Sequence, residues 1–218
     1  MAGAHLATMR KITEELPELP AGAFDKADPT SDLLFYAQKR LVMHIDAGAI
    51  AAVTALYREA LPEGGAILDL MSSWVSHLPP EANYASVIGH GMNAAELAAN
   101  PRLGARFVQD LNADPALPLA DRMFDAACLC VSVQYLQRPV AVFRQVRRVL
   151  RAGAPLVISF SNRCFPTKAV AIWQALDGAE QQALVSLYLT RAGFERIERR
   201  ESLPRRGDPL WAVIGHAP

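Results

Sequence analysis

From residue 66 onward the chain alternates short apolar runs with segments of helical spacing, and this alternation limits the fold more than any other feature of the sequence. AILDLM (66–71), YASVIGH (84–90), ARFVQDLN (105–112), FDAACLCVSVQ (124–134) and APLVISFSN (154–162) are too short and too apolar for surface helices. They predict five parallel strands. Between them, NAAELAANPRL opens on a capping Asn93 and ends by Pro101, and RPVAVFRQVRRVLRAG starts near Pro139 and stops at Gly153. FPTKAVAIWQAL and AEQQALVSLYLTRAG then read as helices, followed by strands FERIERRESL and PLWAVIGHA joined across LPRRGDP. The order predicts an α/β fold: a Rossmann-like sheet of five parallel strands closed by a C-terminal antiparallel hairpin, with helices on both faces.

The chain ahead of this sheet divides in two. Residues 1–30 hold Pro17, Pro20, Gly22 and Pro29 without a sustained period and predict an irregular lead-in. Residues 31–62 carry a capping Ser31 or Asp32, no proline before Pro62 and apolar residues at three and four. They predict a helical cap, one long helix or two broken near Gly48. Residues 63–218 form the main domain, a size that suits one core.

Composition excludes several function classes. Lysine plus arginine and aspartate plus glutamate both total 22, so no net field draws the chain to nucleic acid or to anionic lipid. The arginines grouped at 144–151 and 196–206 read as solvated faces. No run approaches the roughly 18 apolar residues of a membrane span, and the first twenty residues lack the apolar core of a signal peptide. Cys128 and Cys130, two apart on a strand, suit reduced, buried thiols. A cytoplasmic protein is expected. His5, His77 and His216 have no metal-ligand spacing, so no metal is expected.

In an open α/β sheet, ligands bind beyond the carboxyl ends of the strands where strand order reverses. The residues there are Asp69 with MSSWVSHLPP, then IGHGMN, then Gln109, Asp110, Leu111 and Asn112, then Ser132, Val133, Gln134 and Tyr135. A dinucleotide site would place GxGxxG after the first strand and an acid at the end of the second; both are absent. An acid ending the first strand suits a positive amine, and an acid after the third suits an adenine amino group. The pattern is that of a nucleoside joined to an amino acid.

With these residues in view, 63–218 resembles the class I S-adenosylmethionine-dependent methyltransferases, in particular the small-molecule group called type 11. The likeness is most specific over FDAACLCVSVQYLQRPVAVFRQVRRVLRAGAPLVISFSN, where Leu150-Arg151-Ala152-Gly153-Ala154 stands for the family's LxPGG turn. DLxSSWxSHLP and GHGMN, behind a helix like SDLLFYAQKRLVMHID, resemble a little-characterised subfamily. The resemblance implies S-adenosylmethionine as cofactor and S-adenosylhomocysteine as product. It implies Asp69 at the methionine amine, Met92 on the adenine face, and Asp110 with Leu111 at the adenine edge. Met71 and Ser72 in the first loop and Gln134 after the fourth strand complete the implied cofactor contacts. Two departures stand out: Met71-Ser72-Ser73-Trp74 replaces the glycines of GxGxG, and Gly89-His90-Gly91 replaces the ribose-binding acid. His90 and Asn93 are then the polar side chains nearest the ribose, beside Gly91.

Each residue also has a structural reading. Asp69, or Ser72 and Ser73, would cap a short helix through WVSHL, Asp110 sits in good turn sequence, and Trp74 would be cover. Tyr36, Arg40 and His44 share one face if 31–62 is helical, with Asp46 half a turn on. If that helix covers the carboxyl edge, His44 is the general base by intrinsic pKa and Tyr36 its companion. Arg40, Asp46, Tyr135 and Arg163 would then contact the substrate, and Cys164 is a packed residue. The expected function is methyl transfer to an O, S or N nucleophile of a small-molecule acceptor by in-line displacement, in a monomer or homodimer. The alternative is a non-catalytic methyltransferase-like protein that binds a nucleoside or serves as a regulatory partner. Methylation of nucleic acid is disfavoured by the neutral charge.

Overall fold

The computed structural model describes residues 15–218, so the first half of the expected lead-in lies outside the described residues. Five strands, β1 (Ala66–Leu70), β2 (Ser86–Gly91), β3 (Ala105–Val108), β4 (Ala126–Cys130) and β5 (Pro155–Phe160), pair in parallel. β6 (Glu195–Ser202) and β7 (Leu210–His216) form the terminal hairpin, and β7 adds antiparallel to β5. The seven-stranded order is β3-β2-β1-β4-β5-β7-β6, which reverses between β1 and β4 and opens a crevice at their carboxyl ends. The expected sheet is present. Its strands are shorter than their apolar runs, because residues 109–112 and 131–134 leave the sheet to build the site.

Successive strand residues point to opposite faces, and both faces are covered. On one side α2 (Ala47–Ala60) sets Ala49, Val53 and Tyr57 against Ile67, Val87, Cys128 and Val157. On the other, α4 (Pro139–Val149) and α6 (Gly178–Ala192) bring Val142, Phe143, Val146, Val185 and Leu189 onto Leu68, Leu70, Leu129 and Ile158. Local chemistry fixes the helix ends. Pro139 takes the first position of α4, Asp177 and Glu180 make a reciprocal capping box for α6, and Gly193 ends it at φ 85°.

The expected helical cap is where sequence and structure part. Helix forms at α1 (Asp32–Phe35) and α2, while residues 36–46 run as an irregular strap across the carboxyl edge. Asp46 starts α2 by accepting from the Ala49 N–H at 2.8 Å. Upstream, the backbone finds partners outside itself. Asn93 Nδ2 donates to the Tyr36 and Ala37 carbonyls, Trp74 Nε1 to the Val42 carbonyl, and the Arg40 N–H to Glu96. Tertiary bonds thus replace helical ones, and Tyr36, Arg40 and His44 share no helical face.

The lead-in over 15–30 is irregular but anchored, with Leu16, Ala23 and Phe24 buried in the core. Lys26 pairs with Val170 in an antiparallel bridge, and the Ala171 and Ile172 N–H groups donate to Asp25 and Ala23. That pairing explains a second difference. Of FPTKAVAIWQAL only α5 (Ala171–Ala175) is helical, since 165–170 is spent on a turn and on holding the lead-in. The remaining helix, α3 (Ala94–Ala99), follows β2 after its Asn93 cap. WVSHL forms no helix, because the Ser72 and Ser73 hydroxyls bond to Asp69 and Glu96 rather than cap, and Pro79-Pro80 follows.

Candidate functional site

A cavity of about 340 Å³ opens beyond the carboxyl ends of β1, β2 and β4, with the strap as its roof. Among the residues that the sequence nominates, Tyr36, Arg40, His44, Asp69, Met71, Ser72, His90, Gly91, Met92, Asp110, Leu111, Tyr135 and Arg163 line it. Two do not. Asp46 is spent on α2 and on Asp208, whose N–H and carboxylate bond to it reciprocally at 2.7 and 2.9 Å. Gln134 is fully buried, with its amide donating to the Val131 and Arg163 carbonyls, so it shapes the wall from behind.

Asp69 is the chemical centre. It is 3% exposed and accepts from the Ser72 and Ser76 hydroxyls at 2.6 and 2.5 Å and from Cys128 Sγ at 3.7 Å. Burial pushes its carboxyl up to about 6, against the lowering pull of those bonds. No cation pairs with it among the described residues. Nearby, Ser132 Oγ lines the same cavity and is buried without a hydrogen-bond partner. A buried acid lacking a counterion and an orphan hydroxyl on the walls of one cavity are groups that a polar, amine-bearing ligand would satisfy.

His90, expected near a ribose, lines the cavity and bonds through its ring to two loops. Its Nδ1 accepts the Met71 N–H at 3.1 Å, so Nε2 carries the proton and donates to the Gln109 carbonyl at 2.9 Å. Burial holds the imidazole down to about 4, so the ring is a neutral stitch between the loops after β1 and β3. Both nitrogens are occupied. Asp110 Oδ1 shapes its turn by accepting from Asn112 and Ala113 N–H, while Asp110 still lines the cavity beside buried Leu111.

The loop without glycines keeps a glycine-like course. Met71 lies at φ 54°, and His77 and Val131, also on the cavity wall, lie at 52° and 49°. Such angles cost an L-residue roughly 1–2 kcal/mol each, and strain of this kind gathers at functional sites. Gly91 is required where it stands: a Cβ there would lie 2.5 Å from the Ser72 carbonyl oxygen and 3.1 Å from Leu97. Gly91→Ala is therefore expected to destabilise the protein by about 1–3 kcal/mol in urea denaturation; an unchanged midpoint would contradict this packing.

The outer half of the cavity is aromatic. Phe165 packs edge-on to Phe35 and His44 and stacks at 6.0 Å with Tyr135, whose hydroxyl accepts the Phe165 N–H. The Arg40 guanidinium lies 4.6 Å from the Phe35 ring centre, and Arg163 is tied to Asp208 at 2.8 Å. Desolvation raises the Tyr36 phenol far above its usual range and pushes Tyr135 up to about 12. It lowers the His44 imidazole. The phenols are thus proton donors at neutral pH and His44 an acceptor. Cys164 lines the wall as a half-buried thiol, and Cys128 and Cys130 are likewise unpaired.

Sequence reasoning missed Glu96 and Phe165 on these walls, and gave Ser76, His77 and Ser132, which lie in the expected crevice loops, no role of their own. Glu96 sits three residues after the Asn93 cap, a spacing that reads as a capping box, yet its carboxylate turns to Arg40 N and Ser73 Oγ instead. Among the described residues no group of three potential ligands could hold a metal ion, and no helix is long and apolar enough to cross a membrane.

Residues 71–158 match the family model of the methyltransferase domain, type 11. No curated protein matches the chain. The [4+2]-cyclase SpnF has a similar structure, with TM-score 0.60 at 16% identity over 77% of this chain and 81% of its own. A Thermotoga maritima S-adenosylmethionine-dependent methyltransferase, described as a possible histamine N-methyltransferase, gives 0.56 at 16% over 78% and 90%. Phosphoethanolamine N-methyltransferase 2 of Haemonchus contortus, in complex with S-adenosylmethionine, gives 0.58 at 13% over 79% and 53%. At such identities the likeness is one of fold.

Proposed function

We propose, from the premise that residues 71–158 carry a type 11-like methyltransferase domain on the class I fold, that the chain transfers a methyl group from S-adenosylmethionine to a small-molecule acceptor. The observation that carries this reading is Asp69, a buried carboxylate at the sheet's switch point with hydroxyl and thiol donors but no cation among the described residues. The residues fit the cofactor: Asp69 and Ser132 would take its ammonium and carboxylate end, Met92 its adenine face, and Asp110 with Leu111 the adenine edge, where Asp110 would accept from the amino group. When bound, the cofactor supplies an electrophilic methyl on a sulfonium that departs as a neutral thioether.

The protein then has to align the acceptor and keep water out. The strap, with Tyr36, Arg40 and His44, closes the cavity over the ends of β1 and β4, which favours alignment. His44, kept neutral by partial desolvation, accepts the proton of a hydroxyl or thiol acceptor, while Tyr36 stays protonated and orients it by donating. Arg163 and Tyr135 line the same cavity. The neutral charge and enclosed, partly aromatic cavity support a small acceptor over nucleic acid. Unpaired cysteines agree with a cytoplasmic setting.

Because an ammonium binds the ionised carboxylate, affinity should rise with pH through about 6 and then level off. Titration calorimetry is expected to find S-adenosylhomocysteine about tenfold weaker at pH 5 than at pH 7; a flat profile would remove Asp69 from the amine site. A second reading, a nucleoside-binding partner without turnover, is favoured by Gly91, where no acid fits. Incubation with S-adenosylmethionine and a panel of small thiols and phenols separates the two. Formation of S-adenosylhomocysteine supports transfer, and binding without product supports the partner role.

A further inference from the structure

We infer that Glu96 is the group that recognises the vicinal hydroxyls of a ribose in this cavity, an inference that rests on the nucleoside-binding reading above. The wall between β1 and β2 has to offer an acceptor if a ribose lies there, since two adjacent hydroxyls are best satisfied by a carboxylate. The strand end cannot provide it. Gly91 has no room for a side chain against the Ser72 carbonyl, and both His90 nitrogens are bonded. The Asn93 side chain is also spent, accepting from the Ala95 and Glu96 N–H groups and donating to the Tyr36 and Ala37 carbonyls.

Glu96 is the carboxylate left on that wall. It stands in the first turn of α3, faces the cavity and forms no ion pair among the described residues. Oε1 accepts the Arg40 N–H at 2.6 Å and Oε2 the Ser73 hydroxyl at 2.6 Å. Each oxygen therefore holds one bond where it has capacity for two. The two bonds brace the carboxylate between the roof and the first loop and leave one acceptor site on each oxygen. A diol would fill both. A phosphate at the same place would meet an unpaired negative charge, so the group also selects for an unmodified ribose.

The test compares adenosine with 2′,3′-dideoxyadenosine by titration calorimetry on the full chain and on Glu96→Gln. The wild type is expected to bind adenosine at least about tenfold more tightly, as suits hydrogen bonds to a charged acceptor. In Glu96→Gln the preference should fall to within about threefold, while dideoxyadenosine binds as before and so reports an intact site. A preference that survives in Glu96→Gln overturns the inference alone. Equal weakening of both ligands overturns it too, because it assigns Glu96 a purely structural role. Failure of the wild type to bind adenosine, dideoxyadenosine or S-adenosylhomocysteine overturns the nucleoside reading, and the inference with it.

Discussion

Asp69→Asn is expected to abolish binding of S-adenosylmethionine and yet leave the free protein more stable above pH 6. Burial holds the Asp69 carboxyl at about 6 against an ordinary 3.8, so the folded state binds the proton more tightly than the unfolded chain. The resulting stabilisation is complete below pH 4 and is lost as pH rises through 6. Two pKa units correspond to about 3 kcal/mol. Asparagine carries no charge, keeps an acceptor for the Ser72 and Ser76 hydroxyls, and escapes that loss. Urea denaturation should give similar stabilities for variant and wild type at pH 4, and a variant up to about 3 kcal/mol more stable at pH 8. Ligand affinity should meanwhile fall at least a hundredfold, as expected when a buried charge pair loses one partner. A variant that binds as the wild type does would show that the amine lies elsewhere.

The second large effect is expected at Lys168, a fully buried lysine outside the lining of the cavity described above. Its Nζ lies 3.1 Å from Asp28 Oδ2, 3.4 Å from Asp32 Oδ1 and 2.7 Å from the Thr30 carbonyl, while Lys26 meets Asp32 at 2.5 Å. This cluster fixes the chain where α1 begins, immediately ahead of the strap. Lys168→Met leaves Asp32 buried with one cation instead of two and the Thr30 carbonyl without its partner. Breaking a buried pair in this way costs about 3–5 kcal/mol. The loss should concentrate on the roof, so limited proteolysis is expected to cut within 26–46 in the variant while β1 to β5 stay protected. Because the strap closes the cavity, affinity for S-adenosylhomocysteine should drop with it. Unchanged cleavage and affinity would mean that the strap is held by its contacts to Asn93, Glu96 and Trp74 alone.

The sheet was readable because its order is written in local signals: apolar runs of strand length, Pro139 opening a helix, Gly153 and Gly193 closing turns. Asp69, Met92, Asp110 and Leu111 follow from strand ends in the same way, and all four reach the cavity. The strap was not readable. Residues 36–46 have helical spacing, but their backbone is satisfied by Asn93, Glu96 and Trp74, partners more than thirty residues away. The placement of Asp46 and Gln134 off the cavity wall was hidden for a related reason, as nothing local in the sequence reveals the bonds of Asp46 to Asp208 or of the Gln134 amide to the Val131 and Arg163 carbonyls. The positive φ of Met71 is likewise imposed by its surroundings, with its N–H held by His90.

The most direct measurement is calorimetric titration of S-adenosylhomocysteine into the wild-type protein at pH 7.5. The structure predicts saturable one-site binding in the micromolar range, since the cavity, the uncompensated Asp69 and the orphan Ser132 hydroxyl are already in place. Absence of binding by a folded sample would contradict the assignment of this cavity to the cofactor.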